Sequence, residues 1–508
     1  MIQVWATNGA RVGYGIAPAM QFSAKPACPT AGWPKDYIAT ENALPGTSAW
    51  KIAKPGAISA YAELSSAKCG NNVYIRSNGK LNGVVRMTIY RMGYYGGAGA
   101  RAVWSQPVGP WLLGDAQPAP LFIARNSSGQ TINEVKATNW RRTFGFAVDG
   151  RFPPGTYLIA LTDNTGTGSY VPLTIRDDIA PHAYTMLSST NTWQAYNLFG
   201  KYDAYTSPRS STISYDRPYA QNAGSGDFLG FEFGYVFWAE KQGLDSNYTT
   251  DVQLHYNPST IAKGTLVIPG HAEYWSPSMR TNLVSSIAGG TNVLSLSSNS
   301  IYWQINPLSQ REFQAFKGNY GLQSRFRTAG LPEQSILGGM YDGCYQVDGT
   351  GVANTTSWLW NGVAAGTKIP HLAAAEVDHV VGGYPVPAGS KVLDTIPLSR
   401  CSGSTPTTPQ PAHMYMQVTI VDPGNGQGRV FHAGSIGWGC ALSDQCIAYG
   451  TPYSVTTAGA LAVGQATMNA IGWLDTGESP VIEPPPALEP GTLRLKGGLP
   501  TWVDHPHE

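Results

Sequence analysis

The chain has 508 residues, enough for two to four domains at roughly 150 residues each. Charged residues are 13% of it and nearly cancel, 33 Lys and Arg against 32 Asp and Glu, which excludes a nucleic-acid partner held through a basic surface and an acidic disordered tail. No run approaches the roughly 18 consecutive apolar residues of a membrane span, and 27 Tyr, 15 Trp, 59 Gly and 37 Pro describe a folded, turn-rich and strand-rich chain.

Residues 1–178 read as an N-terminal all-β sandwich. Short β-branched and aromatic runs, such as Gly83 to Tyr90, Gly155 to Leu161 and Tyr170 to Ile175, are separated by Gly, Pro and Asn clusters. The texture changes after Asp178. Met186-Leu187-Ser188 leads into a helix-like Trp193–Phe199 segment, and a helix is expected over Gly230–Gln242. A buried strand follows at Thr265–Pro269, then a helix over 276–288 opened by Ser276 as N-cap and Pro277 at the first helical position. The next strand is Asn292–Ser297. Strands alternating with helices predict an α/β domain with a central, largely parallel sheet over 179–475. Strand-like segments return at Met414–Val421 and Gly428–Ala433, and a long helix is expected over about 456–474. Residues 476–508, with Pro480, Pro484, Pro485, Pro486 and Pro490, read as a Pro-rich tail.

Six cysteines allow 15 pairings, and their clustering favours the local ones: Cys28 with Cys69, Cys344 with Cys401, and Cys440 with Cys446. Bridged cysteines in a chain poor in Lys and Glu point to a secreted or cell-surface protein. The first residues, Met1 to Ala6, lack the basic and apolar regions of a signal peptide, so the expectation is a mature form with its signal removed.

In open α/β sheets, ligands sit beyond the carboxyl ends of the strands. Three such ends carry polar groups here: Gly270-His271-Ala272-Glu273-Tyr274-Trp275-Ser276, Ser298-Asn299-Ser300-Ile301-Tyr302-Trp303, and Asn191-Thr192-Trp193-Gln194-Ala195-Tyr196-Asn197. Ala375-Glu376-Val377-Asp378 adds carboxylates after another apolar segment. These motifs, with Ser214-Tyr215-Asp216-Arg217-Pro218-Tyr219 and the upstream Ile89-Tyr90-Arg91-Met92-Gly93-Tyr94-Tyr95-Gly96-Gly97, resemble the large subunit of N,N-dimethylformamidase and its secreted relatives over about residues 57–475. The resemblance implies a mononuclear, ferric iron bound by two tyrosines and a glutamate, with a histidine, an asparagine and a second glutamate in turnover. Carried over by position, the metal ligands are Tyr196, Tyr215 (with Tyr219 as the alternative) and Glu273. The catalytic residues are His271, Asn299 and Glu376. The sequence departs from the amidase in lacking the small companion subunit, and its His-Ala-Glu-Tyr-Trp-Ser motif is closer to the secreted relatives.

Phenolate and carboxylate are hard anionic donors suited to ferric iron. His271 or Glu376 would carry protons, and Asn299 would donate a hydrogen bond to a developing oxyanion. The activity so implied is hydrolysis of an amide or related C–N bond in a small-molecule or polymer substrate. The same composition also suits an exported binding or structural protein using a degenerate form of this domain, with aromatic surfaces for carbohydrate or for a homo-oligomer.

Overall fold

The computed structural model describes residues 26–479 except 57, 80–84, 109–116, 262–263, 316, 318–324, 403–413, 449–450 and 453. The expected leader end at Met1–Ala6 and the prolines from Pro480 onward lie outside the described residues.

Alternating apolar residues in the first third pair two antiparallel-rich sheets face to face. One runs, in spatial order, Lys54–Pro55, Thr167–Arg176, Gly155–Thr162, Val85–Met92 and Ala100–Val108, with Ser66–Lys68 also on Thr167–Arg176. The other is Ile58–Ala62, Asn72–Gly79 and Arg142–Ala147. Val73, Ile75, Ile89, Ile159, Val171 and Leu173 fill the space between them. Inward-facing residues alternate along the strands, as a two-sheet core requires.

A seven-stranded sheet follows, in the order Ser246–Thr250, Tyr184–Ser188, Thr265–His271, Asn292–Ser298, Val430–His432, Tyr415–Val421 and Ser390–Pro397. The first five strands are parallel to one another, Tyr415–Val421 runs antiparallel to Val430–His432, and Ser390–Pro397 runs antiparallel to Tyr415–Val421. The helix after Ser276 forms as its cap predicts: Pro277–Ala288 begins where Ser276 Oγ accepts the Met279 N–H at 3.1 Å. Thr457–Thr476 is the long helix, capped by Thr456.

The expected fold class, an α/β domain with a central parallel sheet, is overturned. The chain is mostly β, 38% strand against 22% helix, and its sheets are several and mixed. The βαβ rhythm behind the expectation covers only the segments up to Ser298. Beyond it the chain makes antiparallel ribbons: Trp303–Ser309 with Glu312–Ala315, and Met340–Val352 with Lys368–His379. Their bulges interrupt the two-residue alternation by which strands are recognised. Two helices near the parallel strands are also short, six residues each in Thr190–Ala195 and Asp251–Tyr256.

All six cysteines are bridged, as Cys28–Cys69, Cys344–Cys401 and Cys440–Cys446. Three disulfides are consistent with an extracellular protein. Among the described residues no helix is long and apolar enough to cross a membrane.

Candidate active site

Parallel pairing places His271 directly beside Ser298, so the His271–Glu273 and Ser298–Asn299 strand ends are neighbours. Gly270 permits the turn into this segment: its φ is 82°, and a Cβ there would meet the Phe231 carbonyl oxygen at 2.8 Å. Ile301 and Trp303 N–H groups donate to the carbonyls of Ala272 and Glu273, which laces the two strand ends together. The short helix Thr190–Ala195 is tied to the same segment. Thr192 Oγ1 accepts the N–H groups of Glu273 and Tyr274, and Asn191 Nδ2 donates to the Tyr274 carbonyl. From beneath, Glu232 accepts from Ser189 N–H and Trp193 Nε1–H, and Asp251 accepts from Asn191 N–H.

Tyr196, at the end of that helix, donates its hydroxyl to Glu273 Oε2 at 2.8 Å. Tyr205 donates to the same oxygen at 2.6 Å, and the two rings stack with centroids 4.2 Å apart. Burial, reinforced by the Glu273 charge, holds both phenols well above their ordinary pKa. Without a cation they are neutral donors to the carboxylate.

His271 Nε2 sits 3.3 Å from Glu376 Oε2 and 3.6 Å from Glu273 Oε2, within ion-pair range of both and aligned for a hydrogen bond with neither. Burial penalises its charged form, but Glu376, Glu273 and Asp227 together outweigh that and raise its pKa to about 9. Asn299 is 1% exposed and has φ 48°, a left-handed conformation that Asn tolerates better than most residues. Its Nδ2 donates to Glu376 Oε2 at 2.8 Å, and its backbone N–H donates to Asp378 Oδ1 at 2.9 Å. Asn299 Oδ1 and Ser298 Oγ are buried without a hydrogen-bond partner. Glu376 follows Ala375, whose φ of 63° bends the Lys368–His379 strand at this point.

Five of the six expected residues therefore converge: Tyr196, His271, Glu273, Asn299 and Glu376. Tyr215 does not. Its hydroxyl donates to Asn191 Oδ1 behind the helix, and the ring packs on Phe313. Tyr219 packs edge-on against Trp193 and is likewise apart. The residue sequence reasoning missed is Tyr205, which takes the second tyrosine's place beside Glu273. It lies in a loop with no periodic pattern, and no motif marks it. Lys317 was missed too; its Nζ lies 2.7 Å from the Tyr205 ring centroid and 3.4 Å from Tyr274 Oη. Desolvation lowers Lys317 to about 8, with Glu273 opposing and Arg209 assisting.

Among the described residues no three His, Cys, Asp or Glu side chains are gathered as a metal site. The oxygen set at Glu273 is of another kind, two phenols and a carboxylate meeting at one point. Those donors fit a hard, highly charged cation, whose field would ionise phenols that are otherwise held neutral.

Comparison with solved structures returns a Paenibacillus sp. cycloisomaltooligosaccharide glucanotransferase complexed with cycloisomaltoheptaose, at 9% identity and a TM-score of 0.16. The likeness covers 68% of this chain and 59% of that one, so the chain spans less than two thirds of its length. No curated protein matches the sequence. The family model described as N,N-dimethylformamidase beta subunit-like, C-terminal, matches residues 86–450, a stretch that holds every residue of the converging site, and the chain belongs to that family.

Proposed function

We propose that the protein is an exported, iron-dependent hydrolase of amide or related C–N bonds. The observation that carries this reading is the convergence of Tyr196 and Tyr205 on Glu273 Oε2, beside a buried histidine and a second, half-buried glutamate 3.3 Å from it. Tyr196, Tyr205 and Glu273 would hold the ion. Ferric iron, when bound, supplies Lewis acidity towards an amide carbonyl.

The remaining steps belong to the side chains. Glu376 is the general base: its Oε2 is fixed by Asn299 Nδ2, and it takes the proton of the attacking water. His271, with its pKa raised to about 9, holds a proton on Nε2 at neutral pH and gives it to the departing amine nitrogen. Asn299 orients Glu376 through one Nδ2 hydrogen, and the second hydrogen of that amide would donate to the developing oxyanion. Its unpartnered Oδ1 is left to accept from the water or the substrate N–H.

Iron analysis and the visible spectrum test the reading. Protein from iron-replete expression should carry about one iron per chain and show a tyrosinate-to-iron charge-transfer band. A colourless, iron-free protein that binds its partners normally would instead favour the exported binding or structural reading.

A further inference from the structure

Beside Tyr205 lies a cavity of about 400 Å³, lined by Thr131, Asn133, Ser207, Arg209, Ser211 and Lys317 among others. It is assembled from three places in the chain: the Thr131–Lys136 strand, the 207–211 loop, and Ala315 with Lys317. Two cations grip Tyr205 from different sides. Arg209 Nε–H donates to the Tyr205 carbonyl at 3.1 Å, and Lys317 Nζ lies against the ring. Both line the same cavity. Among the described residues, neither has a carboxylate within ion-pair distance. The nearby Asp203 is spent on its own turn, where it accepts from Tyr205 N–H, Thr206 N–H and Thr206 Oγ1. Two like charges held together over a polar cavity cost Coulomb energy, and a bound anion relieves it. The cavity is one tyrosine side chain away from Glu273.

We propose that this cavity receives a carboxylate carried by the amide substrate, so that the enzyme acts on N-acyl amino acids or similar anionic amides and not on neutral dialkyl amides. The inference rests on the hydrolase reading for the word substrate, but the anion site itself does not. Guanidinium and ammonium donors would hold the carboxylate by charge-assisted hydrogen bonds, with Ser207 Oγ adding a neutral one. The scissile carbonyl would then lie towards Glu273 and His271, at the distance set by the short chain between carboxylate and amide.

The test is a binding measurement on the full chain by calorimetry, with 4-oxopentanoate as probe. This ketone has the shape of N-acetylglycine, with CH₂ in place of NH, and cannot be hydrolysed. It should bind about tenfold more tightly than the uncharged 5-hydroxypentan-2-one, which has no bond to hydrolyse, and added NaCl should erode the difference. Arg209→Glu should abolish the preference, and Arg209→Lys should retain most of it. Equal or weaker binding of the carboxylate, or an Arg209→Glu protein that still prefers it, overturns the proposal. Turnover separates the two readings. Carboxylate preference without hydrolysis of N-acetylglycine removes the hydrolase and leaves the anion site, whereas hydrolysis of amides with no carboxylate preference does the reverse.

Discussion

Two carboxylate–imidazole clusters lie two residues apart on the Lys368–His379 strand, and both touch Asn299. In the first, Asp378 Oδ2 meets His432 Nε2 at 2.9 Å, His432 Nδ1 meets Ser295 Oγ at 3.0 Å, and Asp378 Oδ1 accepts the Asn299 N–H. All three side chains are fully buried and none is left unpartnered. In the second, Glu376 accepts from Asn299 Nδ2 while His271 Nε2 lies near two carboxylates and is bonded to neither. The residue types are nearly the same. What differs is satisfaction: the first cluster has used its hydrogen-bonding capacity on the protein, and the second has kept some for something else. A Ser-His-Asp set with no opening to solvent, and with the serine on Nδ1 where a triad has the carboxylate, is scaffold. It fixes the left-handed backbone of Asn299 from which the second cluster is built.

The largest effect that would break this contrast is on the scaffold. Asp378→Ala leaves a buried imidazole and a buried N–H without their acceptor, at about 1–3 kcal/mol for each unsatisfied group. Denaturant titration should show the loss, and a cost below about 1 kcal/mol would mean that the cluster does not hold the strand ends. Glu376→Gln sharpens the contrast from the other side. The amide preserves size and an acceptor, so stability should change by under about 1 kcal/mol while hydrolysis falls by about 10²–10⁴-fold. If Glu376→Gln lowers stability as much as Asp378→Ala does, the division of labour between the clusters is wrong.

The tyrosines provide a smaller and more selective pair. Tyr205→Phe should weaken and shift the charge-transfer band of iron-loaded protein, because Tyr196 alone then supplies a phenolate. Tyr215→Phe should keep the band and cost about 1–2 kcal/mol for the hydrogen bond to buried Asn191. The opposite pattern would return the second tyrosine to Tyr215.

That exchange also marks how far the sequence can be read. His271, Glu273 and Asn299 follow strands whose apolar runs and lengths are legible, and register alone brings them together. Tyr205 depends on the path of the 198–211 loop, which turns through left-handed residues at Gly200 and Lys201, φ 73° and 72°. Such a path leaves no period in the sequence. The fold class fails for a related reason. Met340–Val352 runs through register shifts and positive φ at Gly343 and Gln346, so its alternation is broken and the antiparallel ribbon it forms is invisible beside the regular strands before Ser298.

A third cluster tests whether charge or satisfaction separates the first two. His182 meets Asp245 Oδ1 at 2.6 Å and Asp177 Oδ2 at 3.4 Å, joining the end of the Thr167–Arg176 strand to the starts of two strands in the seven-stranded sheet. It is partnered on both nitrogens like His432, yet its pKa is raised to about 9 like that of His271. Burial opposes the charge, and the hydrogen bonds and fields of Asp177 and Asp245 outweigh it. A folded-state value above the unfolded one near 6.5 stabilises the protein fully below about pH 6.5, and that contribution is lost as pH rises through about 9. Discounted for solvent screening, the contribution is roughly 1 kcal/mol. Thermal melts between about pH 6 and 9.5 should therefore show a decline that His182→Gln flattens, with hydrolysis at neutral pH reduced no more than the loss of folded protein explains. A large drop in kcat for His182→Gln at full folding would show that a charged imidazole between two carboxylates is enough to take part in the chemistry. An unchanged kcat with a flattened melting profile would leave unsatisfied hydrogen-bonding capacity as the property that distinguishes His271.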